Sequence, residues 1–137
     1  MANTTPIYSR VADVQWTTSA TTANTTADLT TGTSYQVFSA DTTNGGYVQK
    51  LRFRPLGTNV ATVARVWLNN GGATSGATNN TLYDEVSLAA TTASASSALT
   101  NYELPMNFPL PPSYKIFVTL GTAVAAGYDI IAIGGKY

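Results

Sequence analysis

Residues 47–68 read Tyr47-Val48-Gln49-Lys50-Leu51-Arg52-Phe53-Arg54, then Pro55-Leu56-Gly57-Thr58-Asn59, then Val60-Ala61-Thr62-Val63-Ala64-Arg65-Val66-Trp67-Leu68. Two alternating runs flank a Pro/Gly/Asn segment, which is the pattern of a β-hairpin. In the first run Leu51 and Phe53 share one face, and Lys50, Arg52 and Arg54 share the other. In the second run Val60, Ala64, Val66 and Leu68 share a face opposite Arg65 and Trp67. A register that joins the two apolar faces leaves Arg52, Arg54, Arg65 and Trp67 together on the outer face. Arginine and tryptophan are enriched among the anchors of protein–protein contacts. These four residues are therefore the candidate interface.

Further strands flank this centre. Upstream, residues 7–16 alternate loosely with Val14 and Trp16 on one face, and 35–38 form a compact aromatic run. Residues 17–32, rich in Thr, Ala and Asn, read as a long loop or a polar edge strand. Downstream, residues 69–80 read as a loop, with the Gly-rich segment 71–76 as a mobile hairpin tip. Residues 82–88, 102–108, 114–120 and 128–133 give further strands, with a rigid proline corner at 109–113. About eight short strands between turn signals predict an all-β antiparallel β-sandwich of jelly-roll type. Its core is expected to hold Leu51, Phe53, Val66, Leu68, Leu104, Ile116, Val118 and Ile130. Residues 1–10, polar and containing Pro6, are expected to be an N-terminal arm, and residues 11–137 a single domain.

The chain has 137 residues, enough for one domain with a real core. Charged residues make up 10% of it, against roughly a quarter in ordinary domains, and the net charge is zero. Long-range attraction to nucleic acid has no source. No apolar run approaches the roughly 20 residues of a membrane helix, and no secretion signal is visible at the start. With no cysteine, a disulfide framework, a zinc-thiolate site and a thiol nucleophile are excluded; with no histidine, the commonest general base is missing. The carboxylates Asp13, Asp28, Asp41, Asp84, Glu85, Glu103 and Asp129 are scattered. Adjacent Asp84 and Glu85 point to opposite faces of a strand. Asn79 and Asn80 near them form a poor calcium candidate. Residues 71–76 lack the lysine and helix of a phosphate loop. No enzyme activity, cofactor, metal, nucleic-acid or membrane partner is expected.

The segment from Gly46-Tyr47-Val48 to Arg65-Val66-Trp67-Leu68-Asn69-Asn70-Gly71 resembles one that recurs in small virion proteins of tailed bacteriophages. The stretch from Leu104-Pro105-Met106-Asn107 to Pro112-Ser113-Tyr114-Lys115-Ile116, and the closing Gly134-Gly135, are similar to it too. The resemblance implies a jelly-roll capsid decoration (cement) protein, made in the host cytoplasm and carried on the capsid surface of the virion. It implies the major capsid protein as partner and self-assembly as a homotrimer; the aromatic and arginine set around Arg52, Arg65 and Trp67 is expected to supply part of the trimer contacts. The alternative is a tail or fibre receptor-binding or carbohydrate-binding module, marked by an open aromatic groove. A hydrolase built on Glu103 and Asp129 is a third class.

Overall fold

The computed structural model describes residues 9–26 and 28–137. The alternating runs become eight strands: β1 (Val11–Ala20), β2 (Tyr35–Ser39), β3 (Gly46–Pro55), β4 (Thr62–Asn69), β5 (Asn80–Leu88), β6 (Tyr102–Leu110), β7 (Lys115–Leu120) and β8 (Tyr128–Lys136). A 3-10 turn, Ala77–Asn79, precedes β5. The strands form two four-stranded antiparallel sheets, β1-β8-β3-β6 (sheet I) and β2-β7-β4-β5 (sheet II). The protein is an all-β antiparallel β-sandwich. Its pairings nest: β1 with β8, β2 with β7, β3 with β6 and β4 with β5. The chain behaves as a long two-stranded ribbon folded over on itself.

Each sheet turns one apolar face inward, where burial removes it from water. Leu51 and Phe53 of β3 meet Val66 of β4, Ile116 and Val118 of β7 and Ile130 of β8 in one buried cluster. Leu68 and Leu104 pack against its rim. The eight residues expected in the core all lie in or against it.

The expected hairpin of residues 47–68 does not form. β3 belongs to sheet I and β4 to sheet II, so the intervening segment crosses one end of the sandwich. Asn59 holds it there. Its Oδ1 accepts from the backbone N–H of Ala126 and Gly127 at 2.9 Å each, and its Nδ2 donates to Gly127 O at 3.1 Å. Its backbone exchanges two hydrogen bonds with Thr91. A hairpin would leave this amide in water and three loops untied. Val60 consequently sits exposed in the crossing rather than on the face of Ala64.

The loop after β4 is not a free tip either. Asn79 Nδ2 donates to Ala73 O at 3.0 Å, Asn80 Nδ2 to Thr74 O at 2.8 Å, and Asn69 Nδ2 to Asn80 Oδ1 at 2.8 Å. Asparagine amides thus brace the glycines from within. Toward the same end of the sandwich β3 bulges at residues 48–50 against β8. Gly134 makes that approach possible, since a Cβ there would lie 2.0 Å from Tyr47 O. The expected arm falls mainly on residues 1–8, outside the described residues. The Arg10 N–H donates to Lys136 O at 2.9 Å and so carries the β1–β8 ladder one residue further.

Candidate functional site

The surface that stands out is the outward face of sheet I. Because Leu51 and Phe53 point inward, Lys50, Arg52 and Arg54 point out. The register then lays rows across the sheet. Trp16 of β1 lies beside Ile131 of β8, which lies beside Arg52 of β3, which faces Glu103 of β6. The next row runs Val14, Ile133, Lys50, Pro105. One half of the face is therefore apolar and the other charged. Trp16 is 62% exposed and Val14 47%.

β1 has its sides reversed relative to a normal sandwich strand. Asp13, Gln15 and Thr17 face the interior, and Ala12, Val14 and Trp16 face out. The reason lies with Gln15. Its Nε2 donates to Ser39 O at 2.9 Å, and its Oε1 accepts from Ser39 N at 2.9 Å. One side-chain amide thereby copies a strand's pair of bonds and ties β1 of sheet I to β2 of sheet II. The same Nε2 donates to Asp13 Oδ2 at 3.0 Å. A polar inner face is satisfied in this way, and the apolar residues are left outside.

The four residues expected to share a surface do not. Arg52 and Arg54 lie on the outer face of sheet I; Arg65 and Trp67 lie on the outer face of sheet II, across the whole sandwich. Arg65 Nε pairs with Glu85 Oε1 at 3.1 Å. Trp67 is not an exposed anchor: it is 5% exposed, and its indole N–H donates to the buried Thr119 Oγ1 at 3.1 Å. Phe117 and Leu82 flank it on the neighbouring strands. Arg54 Nη1 donates to Leu99 O at 2.8 Å and to Asn101 Oδ1 at 3.1 Å, which braces the loop before β6. Arg52 Nη2 approaches Glu103 Oε1 at 2.6 Å, and Lys50 Nζ does so at 3.3 Å. The hydrogen bonds from Arg52 and then Lys50 hold the Glu103 carboxyl below its ordinary value.

The carboxylates are occupied with structure. Asp41 caps a turn by accepting from Thr43 N and Asn44 N, and Asp129 accepts from Ser19 N. Glu103 and Asp129 stand on opposite sides of β3, paired with Arg52 and Arg54 respectively. They do not converge on a cleft as glycoside hydrolysis requires. No group of three metal-binding side chains occurs among the described residues. An open cleft of about 570 Å³ lies beside Arg65, lined also by Thr62, Ser87, Leu88, Tyr102 and Thr122, with no carboxylate in its wall.

Comparison with protein-family models, with curated proteins and with solved structures finds no match for this chain. Trp16 is the residue that sequence reasoning undervalued. The signal was present, because Val14 and Trp16 alternate with Asp13, Gln15 and Thr17. Apolar residues are read as inward by default, and only the Gln15–Ser39 tie reverses the strand.

Proposed function

We propose that this chain is a structural protein of a tailed-phage virion, which binds the assembled head through the outward face of sheet I and reinforces it. The reading joins two supports. The segments around residues 46–71 and 104–116 resemble small virion proteins, and the nested strand order is the one a jelly roll has. The observation that carries it is the two-sided outer face: Trp16, Val14, Ile131 and Ile133 beside Lys50, Arg52 and Glu103. An exposed tryptophan sharing a face with arginine, here with Ile131 between Trp16 and Arg52, has the composition of a protein-binding anchor. The partner is the major capsid protein, and the working location is the capsid surface. Catalytic turnover has no part in this role. The contact set of Arg52, Arg65 and Trp67 first expected for a homotrimer is split across the two sheets, so it is not the contact proposed here.

The rival reading has one observation of its own. Trp16 is exposed on an edge strand, as an aromatic platform for sugars would be. Titration of the full chain against purified heads and against a glycan panel separates the two. The head reading expects saturable binding to heads, weakened at least about tenfold by Trp16→Ala. Binding to glycans alone would replace it.

A further inference from the structure

The two sheets end in four strands, β1 and β6 in one and β2 and β5 in the other. An uncovered edge offers its backbone donors and acceptors to any other strand, and proteins usually defend it. Three of these edges are defended. β6 carries Pro105 and Pro109, which lack donors, and Asn107 at φ 53°. β5 carries Asp84 and Glu85 and a bulge opposite residues 66–67. β2 is five residues long, and the Gln15 amide occupies the backbone of Ser39. Over residues 11–17 β1 has none of these devices; its register shift and the turn at Ser19 come only beyond Thr17. It is ten residues long, without proline, lysine or arginine, and its one charge, Asp13, is bound to Gln15 on the inner side.

We infer that β1 is a self-association edge, which pairs antiparallel with β1 of a second copy about a two-fold axis at Val14. The occupant follows from the strand itself. β1 pairs regularly with β8 over residues 11–17 and becomes irregular beyond Thr17, where Ser19 turns to φ 52°. Val14 is the midpoint of the regular span. A two-fold there sets Val14 against Val14, and Trp16 against Ala12 of the other copy, large against small. On the inner side Asp13 meets Gln15 of the other copy, so no like charges stand directly opposed. A contact of this kind uses one patch twice and closes at two subunits. The two sheets I would join into one continuous sheet, with their apolar half-faces adjoining at its centre. The inference concerns the edge of β1, not its outward face, and it stands whether or not the protein binds phage heads.

The chain contains no cysteine, which makes the test clean. Val14→Cys places two thiols opposite each other across the axis, at the Cα separation of about 4.5–5.5 Å that directly opposed antiparallel residues have and that a disulfide tolerates. Leu82→Cys, at another exposed strand position, is the control. Sedimentation of the full wild-type chain should give a species of twice 14.4 kDa. Under mild oxidation Val14→Cys should cross-link nearly completely, and Leu82→Cys at least about tenfold more slowly, because only the former is held at high effective concentration. A wild-type monomer at tens of micromolar, a trimer, or a dimer whose two cysteine variants cross-link alike would each overturn the inference.

Discussion

Trp67 and Trp16 show how a residue's surroundings decide its role. Trp67 shares the outer face with Arg65, yet Phe117, Leu82 and Thr119 enclose it and its N–H is bonded. It belongs to the fold. Trp67→Ala should therefore cost about 3–5 kcal/mol of stability, read by denaturant unfolding. A variant of unchanged stability that lost only its partner binding would contradict that assignment. Asn59 is the second such residue, since its side-chain amide ties the crossing segment to residues 126–127 from a buried position. Asn59→Ala should lower the unfolding free energy by about 2–4 kcal/mol, because it strands buried backbone groups. Tyr128 behaves in the opposite sense. Its hydroxyl is buried with no hydrogen-bond partner among the described residues, and burial pushes its phenol above the ordinary value. Tyr128→Phe should leave thermal stability equal or raise it; a clear loss would mean that the hydroxyl is bonded after all.

At the scale of elements, β1 and β3 make distinct predictions. Gln15 substitutes for a strand by bonding both backbone groups of Ser39, so Gln15→Ala should loosen β1 from β2 and speed amide exchange at Ser39. The β3–β6 pair adds a pH dependence. Glu103 has a depressed carboxyl value in the folded state, relative to an ordinary 4.5, through the hydrogen bonds of Arg52 and Lys50. Its contribution is thus fully present above the unfolded value and is lost as pH falls through the folded one. The stability gap between the wild type and Glu103→Gln should be present at neutral pH and should close in acid. Exposure of these groups keeps the gap small, and a gap that widened in acid would reverse the sign argued here. The strands themselves were legible because alternation is a local property: Leu51, Phe53, Ile116, Val118 and Ile130 declare their face within a few residues. Pairing was not legible. Residues 55–59 have turn chemistry, but whether a turn returns to the same sheet depends on what Asn59 bonds, and Ala126, Gly127 and Thr91 are far away in sequence. The same distance hid Ser39 from Gln15, and with it the outward placement of Trp16.

The whole molecule is a sandwich whose interior is closed by apolar packing and whose carboxylates serve turns and ion pairs. Its distinctive surface is the outer face of sheet I, apolar toward β1 and charged toward β6, and this is the face proposed above as the contact with another protein. Arg52 and Trp16 stand in one row, two strands apart and joined through Ile131. Their loss should weaken partner binding together while leaving the fold intact, since neither fills the core. The most direct measurement is co-sedimentation of the full chain with purified heads built from the capsid protein of the same genome, compared with its Trp16→Ala and Arg52→Ala variants. The account predicts saturable binding at a fixed ratio to capsid subunits, with each folded variant weakened at least about tenfold. Absence of binding to heads, or binding that both folded variants retain in full, would contradict it.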